Sequence, residues 1–469
     1  MFEYINNILS KINEIVWGLP LVIFILCTGL FLTCRLKGVQ FRKLPLAFKK
    51  MFAKDNDSKA GEVSSFGALC TALSATIGTG NIVGVATAIV AGGPGALFWM
   101  WIAALVGMAT KYSECLLAVK FRKVSEDGRV IGGPFYYIEN GLGKKWKWLA
   151  KIFACLGVFV GLLGIGTFSQ VNGIATAVNN FFDKNNSWTI NLFGNEYSWT
   201  VVITAIVVTV CVALVLIGGI KRISSVAEVI VPFMAVTYIV IALIIIIINI
   251  KAVPAAFAEI VQSAFGLRAV AGGAMGAMIV AMQKGISRGI FSNEAGLGSA
   301  PIAAAAAQTN EPAKQGIVSM LGTFIDTIVV CTMTGLSIVI TGAHKIDGLE
   351  GVEVTTKVFQ LGLPFPDSVA AFLLMVCLIF FAFTTILGWN YYSEKCLEYL
   401  TGGKMKLVMI FRIAYISCVF FGPFMTITAV WTIADIFNGL MAIPNLIAVL
   451  GLNGVVVSET KRYFDSLKK

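Results

Sequence analysis

Glycine and hydroxyl residues interrupt an apolar run that is long enough to cross a lipid bilayer. Gly78-Thr79-Gly80-Asn81 lies near the middle of the run from Ser65 to Ala91. Backbone groups that glycine frees from helical hydrogen bonds are tolerated at membrane depth only where they face protein or a water-filled cavity. The pattern indicates a broken helix that binds a small ligand, and the alternative is a glycine-rich helix packed closely on a neighbour.

A second and more polar interruption runs from Gln283 to Pro301, in the corresponding place of the second half of the chain. Paired interruptions indicate a transporter site built from inverted repeats. One half of a broken helix offers free amides and the other offers free carbonyls. An amino-acid zwitterion matches both, with its carboxylate at the amides of residues 79–82 and its ammonium near Ser292 and Asn293.

Oxygen-bearing side chains near these interruptions are candidate ligands for a sodium ion, which is a hard cation. The candidates in the two interruptions are Ser74, Thr76, Thr79, Asn81, Ser292, Asn293 and Ser299. Thr384 and Thr385 are the expected partners from a distant span. Their alternative role is to bond back to the preceding turn of their own helix.

Ionisable side chains at membrane depth indicate function or a buried pair, because charge is costly there. Lys284 and Arg288 share one helical face and cannot neutralise each other. We therefore predict a gate or ion-pair role for Arg288 and Glu294 in preference to direct substrate contact. The sequence alone indicates less about the roles of Asp326 and Asp435.

A polar cluster lies past the middle of the fourth apolar run, from about Leu149 to Val178. Its members are Thr167, Ser169, Gln170 and Asn172. Such residues either bond to neighbouring helices or line a cavity. Gln170 is the predicted cavity residue.

Composition excludes a water-soluble domain. Of the 469 residues, 57% are hydrophobic and 13% are charged, which is typical of an all-α polytopic membrane protein. Although the net charge is +11, the basic residues concentrate in alternate loops, so we expect the positive-inside rule and no nucleic-acid partner. The ten cysteines form no CxxC pair and His344 is the only histidine, so the sequence predicts neither a metal centre nor an enzyme.

We predict about eleven transmembrane helices, with the amino-terminus outside and the carboxyl-terminus in the cytoplasm. Two five-helix repeats, each opening with a broken helix, follow one extra amino-terminal helix. The predicted units are an amino-terminal helix with a basic cytoplasmic loop (1–64), the first repeat (65–250), an extracellular helix with the second repeat (251–460) and a basic cytoplasmic tail (461–469).

The segment from Gly92 to Trp101, Gly-Gly-Pro-Gly-Ala-Leu-Phe-Trp-Met-Trp, resembles the signature of the alanine or glycine:cation symporters, the sodium:alanine symporter family. The break at Gly78–Asn81 and the stretch from Arg288 to Pro301 are also similar to that family. The resemblance covers nearly the whole chain. It implies the leucine-transporter fold and uptake of small neutral amino acids by alternating access, coupled to sodium or, in some members, to protons.

Matched on the first break, the resemblance implies roles for individual residues. Ser74 and Ile77 would offer carbonyls to one sodium site opposite Thr384 and Thr385, and Thr76 and Asn81 match a second. The backbone near Gly80, with Asn293, would hold the amino acid. The residues implied for its side-chain pocket are Phe168, Gln170 and Trp389.

The expected ligands are therefore a small neutral amino acid, alanine or glycine, and sodium as the coupling ion, in a cell (plasma or inner) membrane. No cofactor and no obligatory protein partner are expected. Uptake of glutamine or serine by the same fold is the alternative within transporters. A membrane enzyme would need a nucleophile or metal cluster, and a passive channel would not need paired broken helices.

Overall fold

The computed structural model describes residues 2–53, 61–124, 130–192, 194–266, 273–425 and 427–468, and most of them are helical. The predicted basic loop and outer connection therefore lie partly outside the described residues. The helices of the first half are α1 (Phe2–Val16), α2 (Leu19–Arg35), α3 (Val39–Arg42), α4 (Leu44–Met51), α5 (Ser65–Thr76), α6 (Val85–Gly92), α7 (Gly95–Lys120), α8 (Pro134–Tyr136), α9 (Lys147–Leu163), α10 (Phe168–Phe182), α11 (Trp199–Leu216) and α12 (Gly219–Ile248).

The second half begins with a short helix, α13, in the connection where the sequence predicted one. Its helices are α13 (Val253–Ala264), α14 (Ala274–Asn293), α15 (Ala300–Ala305), α16 (Pro312–Thr323), α17 (Thr332–Thr341), α18 (Val352–Gly362), α19 (Asp367–Thr401), α20 (Met405–Phe421), α21 (Ile427–Gly451) and α22 (Asn453–Ser466). Short 3₁₀ segments are Lys144–Trp146, Ile250–Ala252, Ala343–Lys345 and Gly422–Phe424. Two antiparallel hairpins pair β1 (Lys123–Val124) with β2 (Val130–Ile131) and β3 (Thr189–Leu192) with β4 (Asn195–Ser198).

Within the described residues, nine helical stretches, some of which join two of these helices, are long and apolar enough to cross a membrane, and a bent helix pair brings the number to as many as ten. The pair consists of residues 65–76 and 80–92, which meet at an angle of 54°. Helices α14 and α15 occupy the place of the remaining expected span but are not among these stretches. The polytopic helical class is confirmed, whereas the count of eleven and the repeat layout stay predictions.

Helix α19 packs closely against the first break at Gly78. Helix α5 ends at Thr76, and Ile77 is extended. A Cβ atom on Gly78 would lie 2.4 Å from Thr385 Oγ1, so α19 approaches the break at a distance that only glycine permits. A π-helical segment, Gly80–Gly84, then leads into α6.

The second interruption is shorter than the sequence suggested. Helix α14 continues to Asn293, so Lys284 and Arg288 lie on regular helix. The chain is non-helical from Glu294 to Ser299 and has left-handed backbone at Glu294, Gly296 and Gly298. Helix α15 then adds only six residues.

Two irregular segments were not expected. The fourth span, predicted to be continuous, is interrupted at residues 164–167 between α9 and α10. The eighth span contains a π-helical segment, Phe324–Cys331, between α16 and α17. A third π segment, Tyr137–Leu142, lies between α8 and α9. Inserted π turns frequently occur at functional sites, and the segments at 80–84 and 324–331 face each other.

Candidate substrate and cation site

Two backbone amides at the first break donate hydrogen bonds to side chains. Gly78 N–H donates to Asn81 Oδ1 over 2.9 Å, and Thr79 N–H donates to Gln170 Oε1 over 3.1 Å. Gln170, the predicted cavity residue, therefore lies directly at the break. The side chains of Thr79, Asn81 and Gln170 are all buried.

Asp326 joins the two interruptions. Asn81 Nδ2 donates to its Oδ1 over 2.7 Å, and Ser292 Oγ donates to its Oδ2 over 2.8 Å. Thr327 Oγ1 also donates to Oδ2, over 2.7 Å, and accepts a hydrogen bond of 2.9 Å from Asn293 Nδ2. Three polar side chains, Asn81, Ser292 and Thr327, thus donate to a single buried carboxylate, and Asn293 bonds Thr327.

The sequence did not single out Asp326, although a signal was present. It is a lone carboxylate in an otherwise apolar span, and such residues usually mark a functional site. The two interruptions also touch through their backbones. A Cβ on Gly80 would lie 3.5 Å from Ser292 Cα.

Only some of the predicted sodium ligands lie close to one another. Thr385 Oγ1 lies 3.3 Å from the Ile77 carbonyl, and it also donates to Phe381 O within its own helix. The hydroxyls of Ser74 and Thr76 donate to carbonyls within α5.

Thr384 and Phe168 make their described contacts elsewhere than at the first break, and Trp389 interacts with Glu294 of the second interruption. The Thr384 hydroxyl bonds the carbonyls of its own preceding turn and lies 3.5 Å from Met234 Sδ, so it faces α12. Phe168, the first residue of α10, packs against Gly422. Trp389 is fully buried beside Tyr392, with ring centroids 5.5 Å apart.

A cavity of about 530 Å³ opens beyond the first break, and we call it the vestibule. Its lining comes from the end of the second span, from α10, from Arg288 and from the segment before α18. The lining residues are Val83, Gly84, Thr87, Val90, Ala91, Asn172, Gly173, Thr176, Asn180, Arg288, Glu350, Gly351, Val352 and Glu353. Of the predicted site residues, Arg288 lines this cavity.

Arg288 makes a two-pronged ion pair with Asp435. Its Nη1 and Nη2 donate to the two carboxylate oxygens over 2.8 and 2.9 Å. Trp17 Nε1 donates to the Asp435 carbonyl over 2.9 Å and ties α21 to the amino-terminal helices. Asp435, given little weight from the sequence, is therefore a partner of Arg288, whereas Glu294 accepts a hydrogen bond from Ser299.

The opposite end of the molecule, which we call the basic end, is closed by main-chain pairing. Glu62 N–H donates to Ala306 O over 2.8 Å, and Gln308 N–H donates to Val63 O over 2.7 Å. The Arg122 guanidinium donates to three carbonyls at 2.6 to 2.8 Å, which belong to Ala305, Ala307 and Thr309. We call this pairing together with Arg122 the latch.

Further buried charges lie between the site and the basic end. Lys111 and Glu114 are on α7 and are at most 2% exposed, and Glu294 is fully buried. Asn445 Nδ2 donates to Glu114 Oε1 and, over 2.8 Å, to Gly296 O. The spacing of Lys111 and Glu114 within an apolar run was an available signal that the sequence reading missed.

A family model described as the sodium:alanine symporter family matches residues 2–469. The chain belongs to the sodium:alanine symporter family. Among its relatives, the sodium/alanine symporter AgcS of Methanococcus maripaludis is 46% identical over 99% of this chain and 98% of its own. The probable sodium/glutamine symporter GlnT of Bacillus subtilis is 36% identical over 99% of this chain and 91% of its own.

Among solved structures, the crystal structure of MhsT in complex with L-phenylalanine is similar, with a TM-score of 0.55. The two are 16% identical, and the match covers 87% of this chain and 99% of MhsT. MhsT is a leucine-transporter-fold protein, so this likeness establishes the fold. The chain is a multi-pass membrane transporter of a sodium-coupled amino-acid symporter family and not an enzyme.

Proposed function

We propose that this protein takes up a small neutral amino acid, alanine or glycine, together with sodium by alternating access. The observation that carries the proposal is the meeting of both interruptions around Asp326, Asn81 and Ser292. Neutral oxygens, backbone amides and one carboxylate suit an amino-acid zwitterion and a hard cation. No cofactor is required, because the sodium gradient supplies the driving force.

Alternating access is supported by the two ends of the molecule. The vestibule leads toward the site and is bordered by the Arg288–Asp435 pair, which would form the outer gate. The latch would form the inner gate. With both closed, the site is occluded, and transport requires each closure to open in turn.

We assign the vestibule to the outside and the latch to the cytoplasm of a cell (plasma or inner) membrane. The basic residues support this orientation, because Lys and Arg concentrate in cytoplasmic loops. The amino-terminus is then outside and the tail at residues 461–469 is cytoplasmic.

The test is uptake of labelled alanine into proteoliposomes that contain the purified protein. An inward sodium gradient is compared with a potassium gradient, and unlabelled glycine, serine and glutamine serve as competitors. Saturable uptake that requires sodium and is inhibited more strongly by glycine than by serine or glutamine is the expected result. Uptake that is indifferent to both sodium and proton gradients would contradict coupled symport.

Glutamine or serine is the second candidate substrate. The 36% identity to a probable sodium/glutamine symporter supports glutamine. If glutamine competes more strongly than glycine, the substrate assignment changes while the coupled mechanism stands.

A further inference from the structure

Exposed lysines and tryptophans cluster where α9 begins. The 3₁₀ segment Lys144–Trp146 leads directly into this helix. The indole rings of Trp146 and Trp148 are both exposed and stack on each other, with ring centroids 6.2 Å apart. We call the following five exposed residues the lysine–tryptophan patch: Lys144, Lys145, Trp146, Trp148 and Lys151.

The three lysines of the lysine–tryptophan patch have no acidic partner. Within the part of the chain that the structure describes, no carboxylate lies within 4 Å of their ammonium groups. Lys147, by contrast, forms an ion pair of 3.0 Å with Glu139. The other carboxylate oxygen of Glu139 accepts a hydrogen bond of 2.6 Å from Tyr399. Glu139 is therefore already engaged, and three positive charges remain for an anionic partner.

An exposed apolar ridge continues along α9 from the lysine–tryptophan patch. Its members recur every three or four positions and so share one face of the helix: Trp148, Ile152, Cys155 and Phe159. Lys151 lies on the same face, whereas Leu149 and Phe153 are buried on the other. On a membrane-spanning helix such a ridge faces the lipid chains, and tryptophan marks the level of the headgroups.

The lysine–tryptophan patch lies at the basic end of the molecule. Val130 N–H donates to the side chain of Glu62, a residue of the latch, over 2.9 Å. A Cβ on Gly141 would lie 3.2 Å from the ring of Phe121, which precedes Arg122. The lysine–tryptophan patch begins three residues after Gly141. In the orientation assigned above it faces the cytoplasmic leaflet, whose anionic lipids give it a negative surface potential.

We propose that the lysine–tryptophan patch binds the phosphate headgroup of one anionic phospholipid, whose acyl chains lie along the exposed ridge of α9. The lysines supply the countercharge, and the stacked indoles contact the interfacial part of the lipid. Ser393 Oγ of α19 donates to Gly157 O of α9 over 3.1 Å, so the lipid is held by a helix that is itself fixed within the bundle. This inference goes beyond the proposed transport and does not depend on the transported substrate.

The experiment counts bound lipids by native mass spectrometry. Purified protein in a non-ionic detergent is titrated separately with dioleoyl phosphatidylglycerol and with dioleoyl phosphatidylcholine. The triple variant Lys144→Gln, Lys145→Gln and Lys151→Gln should raise the apparent dissociation constant of the first bound phosphatidylglycerol at least about tenfold. It should leave phosphatidylcholine binding unchanged. The matched control, Lys49→Gln, Lys221→Gln and Lys461→Gln, removes the same charge from exposed lysines on three other helices and should match the wild type.

Trp148→Ala is the second variant and covers the case in which the triple variant does not fold. It removes half of the indole stack without changing the charge, so we expect roughly threefold weaker binding of phosphatidylglycerol. The thermal transition in lipid-free detergent checks the folding of each variant.

Unchanged phosphatidylglycerol binding in the variants that fold would overturn the inference. Equal weakening by the patch and control triple variants would also overturn it, because net charge would then attract the lipid without a defined site. Displacement of phosphatidylglycerol by inorganic phosphate at constant ionic strength would show that the lysines hold a free anion, which contradicts a lipid site. Amino-acid uptake under a sodium gradient tests the proposed function separately.

Discussion

Asn81 holds the first break from both ends of its amide group. Asn81→Ala removes the acceptor for Gly78 N–H and one donor to a buried carboxylate, at a cost of about 1–3 kcal/mol. We expect the half-saturating sodium concentration for alanine uptake to rise roughly tenfold, with little change in expression. The measurement is uptake as a function of sodium in proteoliposomes.

Thr385 is the threonine of its pair that reaches the break. Thr385→Ala should also raise the half-saturating sodium concentration, because it removes the hydroxyl beside the Ile77 carbonyl. Thr385→Ser keeps that hydroxyl and should restore the wild-type value. Thr209→Ala is the control, since the Thr209 hydroxyl bonds only Ala205 O within α11. Unchanged sodium dependence in both Asn81→Ala and Thr385→Ala would remove these residues from the cation site.

Gly78 is required by the approach of α19. In Gly78→Ala the new Cβ would meet Thr385 Oγ1 at 2.4 Å and Gln170 Oε1 at 3.1 Å. Such overpacking costs about 1–3 kcal/mol, so we expect a lower thermal transition and much reduced uptake. Gly322→Ala is the control because its nearest neighbours would lie 3.8 Å away or farther. Equal stability of the two variants would contradict this close approach.

For individual residues, the sequence predicted which polar residues belong to the site better than it predicted their hydrogen-bond and ion-pair partners. Thr79, Asn81, Ser292 and Asn293 were recognisable because polar residues inside an apolar run need a local reason. Asp326 and Asp435 were not connected to their partners, because Asn81 lies 245 positions from Asp326 and Arg288 lies 147 positions from Asp435. Even Ser292 lies 34 positions from Asp326. Such contacts depend on how the spans pack.

The elements themselves were largely predictable, since bilayer thickness fixes the length of an apolar run. Irregular backbone was predictable only where glycine marks it, as at Gly78 and Gly80. The π-helical segment at 324–331 adds no distinctive residue types, so its sequence reads as a regular span. The second interruption was placed too early, because Lys284 and Arg288 are polar without breaking α14.

The latch depends on Arg122, which crosses from the end of α7 to the residues after α15. Arg122→Ala removes charge-assisted hydrogen bonds to three carbonyls. Each such bond is worth about 1.5–3 kcal/mol, so amide hydrogen exchange at Val63 and Gln308 should accelerate at least about tenfold. Lys123→Ala, at the neighbouring position, is the control. Equal exchange in both variants would show that main-chain pairing alone holds this end.

The loop between α10 and α11 is organised by Asp183. Hydrogen bonds from the side chains of Ser187 and Ser198, and from the amide of Ser187, lower the pKa of Asp183 to about 2. A depressed carboxylate pKa stabilises the fold above the unfolded value near 3.9, and that contribution is lost as the pH falls through about 2.

Trp188 and Trp199 are stacked, with ring centroids 5.4 Å apart. We therefore expect their fluorescence to change as this loop loosens between about pH 4 and pH 2. The measurement is tryptophan fluorescence during acid titration. Asp183→Asn should lack this transition, and Glu196→Gln on β4 should retain it. A wild-type titration identical to that of Asp183→Asn would exclude Asp183 as the cause.

One end of the molecule holds the vestibule, bordered by the Arg288–Asp435 pair, and the other end is closed by the latch. Composition and paired interruptions predicted a membrane transporter, and the family match confirms that class. The state of the two ends was not predictable, because under the proposed alternating access the same sequence would adopt both open arrangements. The observed arrangement is one member of a set whose populations ligands shift.

Thr176 lines the vestibule and reports on that set. A cysteine introduced there (Thr176→Cys) should react with a membrane-impermeant maleimide added outside when sodium is present without an amino acid. Adding the amino acid should slow the reaction severalfold, because closure follows when both ligands bind and prefer the closed state. The unmodified chain, with its ten native cysteines, supplies the background. Reaction only from the cytoplasmic side would reverse the assigned orientation, and a rate indifferent to the amino acid would argue against alternating access at this cavity.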